Sequence, residues 1–147
     1  MNPEQWLSLK WNGGSTMSDR WLNQSKIIHM LDAIARKQRD KVLTLYYDLI
    51  ELKESPFGIL ALLARQCNQL LQVKNLDDLG KDNGTISKEI KIPAFAVGKL
   101  KDQSKMFSIE VLLNMVEACA KTDELIKTGK INDRVGVELI LIQFSQN

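Results

Sequence analysis

The chain has a single histidine, two cysteines and three prolines, and none of its apolar runs approaches the roughly 20 residues that a membrane-crossing helix needs. Each scarcity closes off a class of function. His29 stands between Ile28 and Met30, with no serine or cysteine nucleophile in a recognisable setting beside it. It reads as a surface or partly buried histidine and not as a catalytic base. Cys67 and Cys119 both fall on apolar helical faces, so buried free thiols are expected in place of a disulfide or a metal ligand. Cys-x-x-Cys and His-Glu-x-x-His are absent, which leaves a zinc site unsupported. A Gly-x-x-x-x-Gly-Lys-Ser/Thr phosphate loop is also missing, since Gly13-Gly14-Ser15-Thr16 has the wrong spacing and no lysine. The acidic pairs Asp77-Asp78 and Asp123-Glu124 are expected to face solvent, because adjacent residues on a helix point apart and make no dyad. The reading is of a chain with no catalytic, cofactor-binding or metal-binding residues, and therefore not an enzyme. The chain's start lacks a basic region followed by an apolar core, so it is not read as a secretory signal, and a cytoplasmic protein is expected.

What is present is helical periodicity. The 147 residues, 44% hydrophobic and 26% charged, suit one domain with or without a tail and an ordinary core. A net charge of +2 neither demands nor excludes a nucleic-acid partner. Residues 1–23 differ from the rest, since they hold all three tryptophans, Trp6, Trp11 and Trp21. Residues 6–11 read as a short extended piece, Gly13-Gly14-Ser15-Thr16 as a linker, and Met17 as a possible second start. An added leader or the remnant of a preceding domain is the expectation for this stretch, with a helical domain over 24–147. Ile27, Met30, Leu31 and Ile34 give a first stripe, with Ser25 as a candidate cap. Asp40 is a candidate cap for a second helix carrying Val42, Leu45, Tyr46, Leu49 and Leu52.

The third helix has the clearest signature. Ser55 can cap it and Pro56 suits its first position, where no amide donor is needed. From Phe57 to Ala64 only Gly58 interrupts an apolar run, so this helix must be surrounded by others. It fades near Asn75, and residues 77–84 read as a loop. Short helices are predicted over 85–90 and 94–105, separated by Ile92-Pro93. A long helix follows from Phe107-Ser108, with Ile109, Leu112, Leu113, Val116 and Ala120 on one face, and Gly129 ends it. Asn132 or Asp133 caps a last helix with Val135, Val137, Leu139, Ile140, Ile142 and Phe144. The fold class is all-α, a single bundle of about six helices.

The 85–105 segment has the outline of a helix-turn-helix. Lys88, Lys91, Lys99, Lys101 and Lys105 could touch phosphates. Its second helix, however, opens with Pro93, Ala94, Phe95, Ala96 and Val97, which donate nothing to a base edge and read as core packing. A small helical DNA-binding protein using this segment is the alternative reading, with weak backbone contacts through Lys88, Lys99, Lys101 and Lys105.

Several strings occur together in order: Leu45-Tyr46-Tyr47-Asp48-Leu49, Ser55-Pro56, Leu62-Leu63-Ala64-Arg65-Gln66 and Leu70-Leu71-Gln72-Val73-Lys74. After them come Ile92-Pro93-Ala94-Phe95-Ala96-Val97-Gly98-Lys99, Phe107-Ser108, Lys127-Thr128-Gly129-Lys130-Ile131-Asn132-Asp133 and Val137-Glu138-Leu139-Ile140. This order resembles the C-terminal domain of the DNA polymerase III delta subunit of the bacterial clamp loader, over about residues 24–147. Ala94 stands where many relatives carry proline. The resemblance implies a helical collar domain that joins equivalent domains of the ATPase subunits and delta-prime during DNA replication. It implies no cofactor, no small-molecule substrate and no membrane partner, and DNA only indirectly through the complex. The family's clamp-contacting residues lie in regions outside the resemblance. From the residues alone, partner contacts should use apolar surface left over by the core. Leu43, Tyr47 and Ile50 lie off the main stripe of the second helix, and Leu139, Ile142 and Phe144 cover much of the last. Tyr47, Ile50, Leu139, Ile142 and Phe144 are thus the candidate interface residues, the rival reading being helices simply buried on two sides.

Overall fold

A computed structural model describes the backbone of residues 17–146 and the side chains of residues 25–146. The expected extended piece over 6–11 and the Gly13-Gly14-Ser15-Thr16 linker lie outside the described residues, as does the side chain of Trp21. The described chain runs through α1 (Met17–Ala35), α2 (Arg39–Glu51), α3 (Pro56–Asp78), α4 (Asn83–Ile90), a 3-10 turn (Ala94–Ala96), α5 (Val97–Ser104), α6 (Ile109–Lys127) and α7 (Asp133–Phe144). Seven α-helices and no strand are thus present among the described residues, an all-α fold close to the expected six.

Side-chain caps explain most helix starts. The Ser55 hydroxyl accepts the Gly58 amide at 2.9 Å, with Pro56 at the first position of α3. Asp82 accepts the Thr85 amide at 2.8 Å, Ser108 that of Val111 at 3.1 Å and Asn132 that of Val135 at 3.1 Å. Each such bond satisfies an amide that the helix leaves without an internal partner. Two expected caps are corrected. α1 already begins at Met17, so Ser25 sits inside the helix, which also crosses the 23/24 point. Asp40 is not the cap of α2, because Gln38 holds that position without a side-chain bond and Asp40 falls in the first turn. There its carboxylate still faces the positive end of the helix dipole. Gly129, at φ +71°, supplies the left-handed turn after α6.

α3 is the axis of the bundle. It packs most extensively on α6, and also on α1, α4, α5 and α7. From Ile59 to Ala64 every residue is buried, as an apolar-all-round helix requires. α2 lies outside this axis and packs on α1 and α7. Fully buried Ile27, Met30, Leu31, Leu63 and Leu70 each contribute roughly 1.5–3 kcal/mol through removal of apolar surface from water.

Three expectations about faces are overturned. On α6 the buried face is Leu112, Met115, Val116 and Cys119, while Ile109, Leu113 and Ala120 are exposed. α6 carries more apolar residues than one face can bury, and the stripe it shares with α3 is offset by about one residue from the expected one. Phe95 does not enter the core: it is 78% exposed, while Ala96 and Val97 beside it are buried. The 3-10 turn rotates Phe95 outward before α5 begins. Asp123 does not face solvent, being 6% exposed with its Oδ2 held by Lys127 Nζ at 2.9 Å. Leu52 ends the second stripe in solvent at the C-cap of α2.

Candidate interface and basic surface

α2 and α7 meet along a seam that fixes two candidate interface residues. The Tyr46 ring is fully buried and its hydroxyl donates to the Arg134 carbonyl at 2.8 Å. Tyr47 points to the outside of the same seam. Its hydroxyl donates to Glu138 Oε1 at 2.7 Å and the Arg134 guanidinium lies 5.9 Å from its ring centroid. Both phenols are shifted towards the neutral form: Tyr46 chiefly by burial, Tyr47 chiefly by its bond to Glu138. Tyr47 is therefore half-presented, its ring edge open and its hydroxyl engaged within the chain. Ile50 is half-buried against the core. Leu139 is 53% exposed, Ile142 is intermediate, and Phe144 packs on the core while lining an open groove of about 420 Å³ with Ile34, Phe107, Val111 and Met115.

Beside this set the structure exposes Ile109, Leu113 and Val135, which the sequence pattern alone did not assign to a surface. Ile109 and Leu113 are spaced one helical turn apart on α6, and Val135 and Leu139 one turn apart on α7. α6 and α7 pack on one another, joined by a loop in which Gly129 turns the chain. A substituted Cβ at Gly136 would touch Thr122 and Ile126 at 3.5 and 3.6 Å, so the start of α7 lies close against the end of α6. Two adjacent helices thus each present an ordered apolar pair outward. The signal was legible in the composition of α6, where Ile109, Val111, Leu112, Leu113, Met115 and Val116 cover more than one face.

The four candidate phosphate-contacting lysines separate into two kinds. Lys101 is half-buried and pairs with Asp77 at 3.5 Å. Asp82 is held below the usual carboxylate range, first by its hydrogen bonds with Thr85 and only then by the charges of Lys101 and Lys88, and Lys88 itself is exposed. Lys99 and Lys105 are exposed, as is Lys91 at the left-handed C-cap of α4.

The thiols of Cys67 and Cys119 are free, buried and pushed up in pKa by that burial, the opposite of what a nucleophile needs. Among the described residues no group of three or more His, Cys, Asp or Glu could hold a metal ion, and no helix is long and apolar enough to cross a membrane.

A family model described as the DNA polymerase III delta subunit, C-terminal domain, matches residues 24–144. The DNA polymerase III subunit delta of Bacillus subtilis strain 168 is 32% identical over 120 residues, covering 82% of this chain and 35% of that protein. A solved structure of the Bacillus subtilis DNA clamp loader delta protein superposes with a TM-score of 0.79 at 30% identity, covering 85% of this chain and 37% of the other. The chain thus spans little more than a third of the length of either relative.

Proposed function

Because the chain belongs to the family of C-terminal domains of the DNA polymerase III delta subunit, we propose that it is the helical collar module of a clamp-loader delta subunit. In this reading it joins equivalent helical domains of the ATPase subunits and delta-prime, and meets primed DNA through the assembled loader. The observation that carries it is the outward apolar pairing on α6 and α7: Ile109 with Leu113 and Val135 with Leu139, each 47–54% exposed. Scattered apolar residues on a surface need no explanation, but ordered pairs on two adjacent helices are what a protein interface core uses. Leu139 belongs to the candidate set, and Phe144 opens onto the neighbouring groove. Tyr47 sits at the edge, where its bond to Glu138 holds the ring in place for a partner. The collar role is one of assembly, which fits a site whose perturbed groups are all shifted away from reactivity.

Size-exclusion chromatography with light scattering tests the reading, using the chain mixed with the clamp-loader ATPase subunit of the same organism, without nucleotide. Co-elution that survives high salt is expected, because burial of apolar surface depends little on ionic strength whereas phosphate contacts weaken steeply. Separate elution, with delta-prime also present, overturns assembly through this domain.

A further inference from the structure

The groove that Phe144 lines does not stop at that ring. Its floor includes the buried side chains of Ile34, Phe107 and Met115, and its sides include Met106 and Val111, 38% and 44% exposed. Lys37 is its one charged lining residue. The same lysine lines a second open hollow, of about 590 Å³, together with Gln38, Arg39, Asp40, Lys41, Ser145 and Gln146. No hydrophobic residue lines that hollow. Two stretches of chain run from one cavity into the other. Residues 34–41 do so through the turn between α1 and α2, and residues 143–146 do so at the end of α7. Lys37 marks the junction, where φ +59° turns the chain and its Nζ donates to the Phe144 carbonyl at 3.3 Å. An apolar groove thus opens directly into a polar hollow.

The hollow is basic. Lys37, Arg39 and Lys41 line it against one acid, Asp40, and exposed Arg36 directly precedes them. Among the described residues none of the three lining cations is in an ion pair. Lys37 gives one donor to Phe144 and an ammonium has two more. We propose that groove and hollow together bind an acidic peptide segment, with apolar side chains in the groove and neighbouring carboxylates against Lys37, Arg39 and Lys41. The groove's volume of about 420 Å³ suits a few side chains, being within the roughly 300–1,000 Å³ of pockets that enclose compact ligands. A domain face would need about 800 Å² of surface on each partner. A nucleic-acid strand would satisfy the cations, but its bases have polar edges that Ile34, Phe107 and Met115 cannot pair. The site shares no residue with the Ile109–Leu113 and Val135–Leu139 pairs, so it does not rest on the collar reading.

The test is fluorescence anisotropy of the 147-residue chain with two labelled peptides, Leu-Ser-Ala-Phe-Gly-Asp-Asp-Asp-Asp and the same residues in reverse order. Both orders are used because an extended segment can lie in the groove in either direction. At least one is expected to bind in the micromolar range. Serine in place of its Leu and Phe, or asparagine in place of its aspartates, should abolish that binding. Val111→Asp should weaken it about tenfold or more, by replacing an apolar wall of the groove. Arg39→Gln/Lys41→Gln should weaken it about fivefold at low salt and less at high salt. All three positions are exposed, so circular dichroism and Tm should stay near wild type in these variants. Undetectable binding of both peptides at millimolar concentration overturns the proposal, as does an affinity unaltered by Val111→Asp or by the double change. Displacement of the peptide by an equal concentration of oligo(dT) also overturns it, because the hollow is then a phosphate site. The ATPase subunit is absent from this assay, so its outcome and that of the assembly test are read separately.

Discussion

The Tyr46 hydroxyl donates to the backbone carbonyl of Arg134 at 2.8 Å, joining α2 to the first turn of α7 across 88 residues of sequence. The ring is fully buried, and that burial raises the phenol's pKa and so favours the neutral, donating hydroxyl. Tyr46→Phe removes the donor, leaves the shape and strands a carbonyl. A loss of about 1 kcal/mol is expected, or a Tm lower by about 3–5 °C. Thermal unfolding followed by circular dichroism checks this. Tyr47→Phe, which removes a surface bond to Glu138, should move Tm much less.

Gln103 links three helices from inside. Its Nε2 donates to the Ile28 carbonyl and to Asp32 Oδ1, both at 2.8 Å, and its Oε1 accepts from Gln66 Nε2 at 3.4 Å. α5 is thereby tied to α1 and α3 at a position that is 2% exposed. Gln103→Leu keeps the volume and abandons these partners in a buried place, so a loss of about 1–3 kcal/mol is expected in urea unfolding. Adding Gln66→Leu should cost less than the two single changes summed, because the pair shares one bond.

The legible part of the fold was whatever depends on local sequence. Ser55-Pro56 and Asn132 started helices where capping chemistry said they would, and the run from Phe57 to Ala64 marked the central helix because nothing else explains so many apolar residues in sequence. Which face of α6 turns inward was not legible. Ile109 and Leu112 are equally apolar, and only the position of α3 decides that Leu112 is buried and Ile109 is not. The same limit hid Phe95: the 3-10 geometry that turns it outward is set by Ile92 and Ala96 packing on either side, a tertiary effect. Asp123 was misplaced because its companion Lys127, one turn on, allows a carboxylate to be buried.

A clean separation of surface from core follows from these placements. Leu113→Asp and Leu139→Asp change residues 54% and 53% exposed, so Tm should stay within about 2 °C of wild type while co-elution with the ATPase subunit is lost. Leu63→Ala, at a fully buried position on α3, should instead cost about 2–5 kcal/mol. Phe144→Asp combines the two effects, since the ring packs on the core and also lines the groove. Loss of cooperative melting in the α6 or α7 surface variants would show that those residues are core.

The two thiols give a prediction in which packing and pH act together. Cys67 and Cys119 are fully buried on α3 and α6, the helices in most extensive contact. Burial pushes Cys67 up to about 12, and burial with the charge of Cys67 beside it pushes Cys119 well above its ordinary value. A thiol ionises in the unfolded chain near pH 8.5, so above that pH the unfolded state binds fewer protons than the folded one. The stability these groups contribute is present in full below about pH 8.5 and is lost as the pH climbs from there towards the folded values. Urea midpoints should therefore fall as the pH rises from about 8.5 to about 10.5, and Cys67→Ala/Cys119→Ala should flatten that decline. Alkylation provides the companion measurement. At about pH 8, below the thiol's ordinary range, the native protein should react with iodoacetamide far more slowly than the urea-unfolded chain, and at the rate of global unfolding. Faster reaction at Cys119 alone would place a local opening between α3 and α6, the contact on which the bundle rests.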